Sequence, residues 1–230
     1  MKPVQSCPKL PAMRFIEVSH TIEAGMKTYP GLPEPRVEVL LDHESSRAKY
    51  REKSEFLISS LHLCGNTGTY VDSPLHRHRN GVDLAGLSLE RLAHLRAVVV
   101  NAPLGLDRGI AAEAFHDIDV RDRAVLVRTD WSRFWRTPQY FAPNPFLTLG
   151  ACEYLAREGA RFVGIDSLNI DDIEDLARPA HTILLGAGIP VCEHLTNLAA
   201  APQDGALLHA VPIAWKGGAT FPVRAYLMVE

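Results

Sequence analysis

Three runs decide the fold: "RAVVVNAP" (residues 96–103), "RAVLVRTDW" (123–131) and "RFVGID" (161–166). Each starts on an arginine and crosses four successive non-polar residues rich in valine. An apolar run that does not alternate belongs to a strand covered on both faces. Between the runs lie segments of helical spacing. "SLERLAHL" (88–95) has Ser88 as a cap, "GIAAEAFHDI" (109–118) reads as helical, and "TLGACEYLAREGA" (148–160) reads as a helix from Thr148 to Glu158 ended by Gly159. Buried strands alternating with helices predict an α/β domain, with a mixed β-sheet and flanking helices.

The ends of the chain are richer in strands. "RFIEVSHTI" (14–22), "RVEVLLDH" (36–43) and "EFLISSLHL" (55–63) precede the core, and "ALLHAVPIAW" (206–215) and "FPVRAYLMVE" (221–230) follow it. "AGMKTYPGLPEP" (24–35) is a Gly- and Pro-broken loop. A second Pro-rich patch near residues 138–145 lies close to Trp131, Phe134, Trp135, Tyr140 and Phe141. Aromatic residues on such a loop predict a lid, a subunit contact or plain loop anchoring. No linker or repeat divides the chain, so residues 1–230 are read as a single domain.

Composition narrows the function. With 230 residues, 47% hydrophobic and 22% charged, the chain can bury a core of its own and is neither disordered nor fibrous. A formal charge of −3 with scattered Lys and Arg gives no basic stripe, which excludes a nucleic-acid or anionic-membrane surface and favours a small-molecule partner. "MKPVQSCPKLPAMRF" holds no signal-type apolar stretch, and no later run suits a membrane span, so a soluble, cytoplasmic protein is expected. Cys7, Cys64, Cys152 and Cys192 form no Cys-x-x-Cys pair and read as small buried apolar residues.

Chemistry concentrates in "GNTGTYVDSPLHRHRNG" (65–81), which follows a strand and reads as a loop. Pro74 keeps the chain extended at Ser73, and Gly65 and Gly68 let the backbone come close to a ligand or ion. Asp72, His76 and His78 can then surround a small volume. The alternative is that Asn66, Thr69 and Asp72 satisfy turn amides while the histidines face solvent. Downstream, "HTILLGAGIPVCEHLTNL" (181–198) puts His181 and Glu193 on either side of a Gly-rich turn. Together with Asp72 they suit a divalent metal that accepts imidazole nitrogen and carboxylate oxygen.

These segments resemble the cyclase-like metal-dependent hydrolases, the family of bacterial kynurenine formamidase and isatin hydrolase. "EVSHTIEAGMKTYPG" is similar to the family's N-terminal segment. "NTGTYVDSPLH" falls on its signature His-x-Gly-Thr-His-x-Asp-x-Pro-x-His. "VLVRTDWSRFW" and "FVGIDSLNID" match its middle, and "HTILLGAGIPVCEHLTNL" its late His and Glu segment. The resemblance implies a swivelling β/β/α-like fold and assembly as a homodimer or homotetramer. It makes Asp72 a metal-binding carboxylate, His181 and Glu193 ligands of a second metal position, and His76 the catalytic acid/base.

The signature is broken at two places. Asn66 and Tyr70 stand where the family has histidines, so the first metal position is expected to be empty or weakened, leaving one zinc or manganese per chain rather than two. His62 is the candidate substitute ligand. The expected reaction is hydrolysis of a formamide, amide or cyclic amide by metal-activated water, with His76 carrying the proton, as in tryptophan catabolism. Without metal, Asn66 and Tyr70 become substrate-contacting donors, with His78 as a further acid/base group, and the protein a slow hydrolase or a binding protein. A cysteine hydrolase using Cys64 or Cys192 is the remaining alternative.

Overall fold

The three apolar runs lie side by side at the centre of a nine-stranded sheet, in a computed structural model that describes residues 13–103, 105 and 107–229. The reading of Cys7 lies outside the described residues. In chain order the strands are β1 (Arg14–Glu17), β2 (Arg36–Leu41), β3 (Ile58–His62), β4 (Tyr70–Asp72), β5 (Leu95–Asn101), β6 (Gly109–Ile110) and β7 (Ala124–Arg128). They continue with β8 (Phe146–Leu147), β9 (Phe162–Ile165), β10 (Val191–Glu193), β11 (Ala206–His209), β12 (Thr220–Pro222) and β13 (Tyr226–Val229). The helices are α1 (His43–Lys49), α2 (Leu149–Glu158) and α3 (Pro179–Gly186). The main sheet runs β1-β13-β11-β5-β7-β9-β10-β4-β12. Its four central strands, β5, β7, β9 and β10, are parallel, and antiparallel strands extend it on both sides.

Alternation along these strands divides the core. Val98, Val100, Val125, Val127, Val163 and Ile165 share one face, under Leu155 of α2 and Leu184 and Leu185 of α3. Ala97, Val99, Leu126, Phe162 and Cys192 share the other, under Leu195, Leu208 and Leu227. Both faces are therefore covered, as uninterrupted apolar strands require. Helix α2 begins where Thr148 Oγ1 accepts the Ala151 N–H at 3.3 Å and stops where Gly159 turns left-handed at φ 83°. Only Val223, Arg224 and Ala225 separate β12, at one edge, from β13, next to the other edge. So short a connection spans at most about 14 Å, so the sheet curls back on itself.

Several local readings differ from the structure. "SLERLAHL" forms only the 3-10 turn Leu89–Arg91, because Leu92 and Leu95 are drawn into the core and the chain must enter β5 at once. "GIAAEAFHDI" gives β6, paired with β8, and then a 3-10 turn at Ala112–Phe115. The segment 65–81 is not a loop throughout. Tyr70, Val71 and Asp72 form a fully buried strand between β10 and β12, followed by the 3-10 turn Pro74–His76. The aromatic segment is an anchor: Trp131, Tyr140 and Leu168 make a buried cluster that Phe134, Trp135 and Phe141 pack against. Among the described residues β2 and β3 pair only with each other, and they leave Val37, Val39 and Leu61 exposed. Among the described residues no helix is long and apolar enough to cross a membrane.

Glycine is demanded where the chain folds against itself. A Cβ at Gly81 would fall on the Pro74 carbonyl and within 2.7 Å of the Leu75 nitrogen. Gly65 is equally confined, with a Cβ 2.5 Å from the Thr220 carbonyl oxygen. Both glycines admit the protein's own backbone rather than a ligand. Gly81→Ala is expected to lower stability by about 1–3 kcal/mol, read as a fall in Tm, because backbone atoms have to move.

Candidate active site

Antiparallel pairing of β4 with β10 sets Glu193 opposite Tyr70 and Val191 opposite Asp72. Alternation then sends Tyr70, Asp72 and Glu193 to one side of the sheet, while Val71 and Cys192 join the opposite core. α3 brings the third group. Its entry residue Arg178 provides no side-chain cap, and Asp171, from the loop after β9, accepts the Ala180 N–H at 2.6 Å and the His181 N–H at 3.2 Å. The same carboxylate meets His181 Nδ1 at 2.5 Å. That bond fixes the ring so that Nε2 faces the site.

His181 Nε2 stands 3.6 Å from an oxygen of Asp72 and 3.6 Å from Glu193 Oε1. His76 Nδ1 is 3.9 Å from the other Asp72 oxygen. These distances are too long for hydrogen bonds, and both Asp72 oxygens are buried without a hydrogen-bond partner. One ligand atom each from Asp72, His76 and His181 lies within 4.8 Å of the others. Two buried Asp72 oxygens without a partner, with His181 and Glu193 Oε1 standing off across gaps of 3.6 Å, fit a divalent cation, and His76 lies at the edge of the same gap. Burial alone would lower His181, but the Asp171 hydrogen bond, Asp72 and Glu193 outweigh it and push the imidazole up to about 10.

Asn66 and Tyr70, where the resemblance leads one to expect histidines, are hydrogen-bonded side chains of another kind. Tyr70 donates its phenol to Glu193 Oε2 at 2.6 Å, and Glu193 Oε1 accepts the Ile170 N–H at 2.7 Å. Burial, then the charges of Glu193 and Asp72, hold the Tyr70 phenol well above its ordinary range, so it remains a neutral donor. Burial raises Glu193 in turn. Asn66 Oδ1 accepts from Thr220 Oγ1 at 3.1 Å. Both residues face a cavity of about 350 Å³ that Tyr29, Leu32, His76, Arg77, Asn169, Arg178, His181 and Glu193 also line.

The structure thus brings together Asp72, His76, His181, Glu193, Tyr70 and Asn66. It leaves out two histidines. His78 meets the Thr182 carbonyl at 3.1 Å, against Gly186, and fastens the loop to α3 instead of lining the cavity. His62 stands exposed on β3 beside Ser60 and Glu38. Cys192 is buried with its thiol pushed up by burial and by Asp72 and Glu193, which removes it as a nucleophile. Asp171, Arg77 and Arg178 are the residues that sequence reading missed. An acid just after a buried strand, followed by Pro at a helix start, was the available signal for Asp171.

Behind Glu193 lies an aromatic wall. His194 Nδ1 and the Tyr140 hydroxyl are 2.8 Å apart, and His20 stacks on Trp135 with centroids 4.0 Å apart. Burial, aided by Arg136, lowers His20 to about 4, and burial, aided by His20, lowers His194 to about 3. Above pH 6.5 His20 is neutral in folded and unfolded chains alike. Below it the unfolded chain takes a proton that the folded one resists until about pH 4, so stability is lost as the pH falls. His20→Phe keeps the stacking surface and removes this proton. Relative to the unaltered protein, it is expected to gain about 2 kcal/mol between pH 8 and pH 5 in denaturant titrations.

Comparison with known proteins agrees with the geometry. Residues 16–172 match the family model "Putative cyclase". Kynurenine formamidase of Salinibacter ruber is 29% identical over 94% of this chain and 97% of its own. Its counterpart in Bordetella avium is 32% identical over 74% of this chain and 79% of its own. Isatin hydrolase A from Ralstonia solanacearum superposes with a TM-score of 0.82 at 23% identity, covering 95% of this chain and 92% of the other. A "Potential Metal-Dependent Hydrolase With Cyclase Activity" gives a TM-score of 0.77 at 24% identity, covering 95% and 99%.

Proposed function

The chain belongs to the cyclase family, and on that premise we propose that it hydrolyses a C–N bond in a formamide, amide or cyclic amide. The observation that carries this reading is Asp72: a buried carboxylate without a hydrogen bond among the described residues, facing His181 and His76, both of which line a ligand-sized cavity. The relatives' activity on a formamide supports the same bond type.

Asp72, His181 and Glu193 would hold one zinc or manganese ion per chain. Bound there, the ion supplies Lewis acidity, making a water more acidic and polarising a carbonyl. The chain's own residues do the rest. His76, whose side chain is 33% exposed and so reaches bulk water, takes the proton of the attacking water and delivers it to the leaving nitrogen. The C–O bond forms, the C–N bond breaks, and a carboxylic acid and an amine leave. Asp171 holds the His181 ring in orientation. Tyr29 and Leu32 give the cavity an apolar wall for the body of the substrate. Asn66 and Tyr70, facing the cavity, contact the substrate. Apolar side chains exposed on β2 and β3 support the homodimer or homotetramer reading.

A second reading has a specific observation behind it. The Tyr70–Glu193 bond satisfies one oxygen of a metal-ligand candidate with a neutral phenol, which also suits a metal-free pocket that binds a small molecule or hydrolyses it slowly. Metal content separates the two. The purified protein is expected to carry about one divalent ion per chain and to lose it in Asp72→Ala, with loss of formanilide hydrolysis. No ion after reconstitution, together with stoichiometric binding and no turnover, favours the second reading. His76→Ala is expected to keep the ion and lose about 10²–10⁴ in kcat. Loss of the ion instead would make His76 a ligand.

A further inference from the structure

Three consecutive residues in the buried stretch after β9 bear on the cavity. The Ile170 N–H holds Glu193 Oε1 at 2.7 Å, and the Asp171 carboxylate holds the His181 ring at 2.5 Å. The residue before them, Asn169, holds neither of these groups, yet it lines the same cavity as His76, His181 and Glu193.

Asn169 is fixed from two sides. Its backbone carbonyl accepts from Asn144 Nδ2 at 2.7 Å and stands 2.9 Å from Ser167 Oγ, and both of those residues are fully buried. Its side-chain Oδ1 accepts the Asp171 N–H at 2.9 Å. A backbone N–H can only donate, so this bond decides which end of the Asn169 amide is the oxygen. Nδ2 is the end left over, with two N–H groups and no acceptor among the described residues. Asn169 is 8% exposed and forms part of the cavity wall, so those N–H groups are left for whatever occupies the cavity. Other polar groups there are differently placed: Tyr70 gives its one proton to Glu193, and Asn66 is anchored through Thr220 alone among the described residues. A donor that is immobilised and unspent is what a developing oxyanion needs, because nothing has to reorganise when the charge appears.

We propose that Asn169 is a catalytic residue, its Nδ2 donating to the substrate carbonyl oxygen as that oxygen becomes an oxyanion. This rests on the amide-hydrolase reading of the same cavity and adds a group to it. As the water oxygen bonds to the carbonyl carbon, the C=O π pair moves onto the carbonyl oxygen, and the Asn169 N–H meets the charge. When that pair returns and the C–N bond breaks, the proton taken up by His76 passes to the nitrogen. Asn169 keeps its own protons throughout.

Formanilide hydrolysis by Asn169→Ala and Asn169→Asp tests this role. Alanine removes the donor without adding charge, and aspartate removes it while keeping an acceptor for the Asp171 N–H, so a loss common to both belongs to the donor. Both variants are expected to lose about 10²–10³ in kcat, with KM within about threefold and divalent metal per chain unchanged. Phenyl methylphosphonate, whose tetrahedral anion mimics the intermediate, is expected to bind Asn169→Ala about tenfold or more weakly, a loss that a merely structural role would not confine to the mimic and to kcat. Unchanged kcat in either variant, a loss confined to KM, or a loss that follows lost metal or lowered Tm in both, overturns the proposal. If the unaltered protein does not hydrolyse formanilide, the hydrolase reading fails, and calorimetry with phenyl methylphosphonate decides for Asn169 separately. Binding weakened about tenfold in Asn169→Ala keeps Asn169 as the donor to an anionic oxygen, whereas equal binding in both proteins, or none, removes that role.

Discussion

A carboxylate buried without a hydrogen bond costs several kcal/mol unless a cation meets it, and Asp72 is such a carboxylate. It lies on β4, next to the edge strand β12 and paired on both sides, so water cannot easily reach it. His181 and His76 face it, and Glu193 shares its imidazole neighbour. A site that is expensive in isolation is consistent with one built to hold an ion.

Asp171 connects the fold to that chemistry. One side chain starts α3 by accepting two amides and orients His181 by meeting its ring. Helix capping and ligand orientation usually belong to separate residues. Here their fusion couples the position of α3, packed on the core by Leu184 and Leu185, to the orientation of the His181 imidazole. Motion of the helix and disorder of the site are then the same event.

Legibility in the sequence followed the range of the interactions. Runs around Val98, Val125 and Val163 announced central strands because burial on both faces leaves a local mark, and Thr148 and Gly159 bounded α2 because caps are local. Ser88 had the same cap chemistry, yet no helix followed, since the pull of Leu92 and Leu95 into the core is tertiary. In the site, Asp72, His181 and Glu193 were recognisable as donors, but their meeting depends on the β4–β10 register, which no short window contains. His78 shared the motif with His76 and was read as a further acid/base group beside it. A 3-10 turn between Pro74 and His76 sends the two side chains to different neighbours. Asp171, Arg77 and Arg178 were hidden because their roles exist only once α3 docks.

At Asn66 and Tyr70, where the resemblance leads one to expect imidazoles, the structure holds groups of a different kind. Neutral imidazoles bring lone pairs to an ion, whereas Tyr70 brings a proton, and it gives that proton to Glu193 at 2.6 Å. Burial together with the charges of Glu193 and Asp72 keeps the phenol protonated. To seat a second ion, the pair would have to part and the phenol ionise, adding an anion among Asp72, Asp171 and Glu193. The hydrogen bond does part of what an ion would do, since it satisfies one Glu193 oxygen without charge. What remains unsatisfied is concentrated at Asp72, whose two oxygens face His181 and His76 without a hydrogen bond among the described residues.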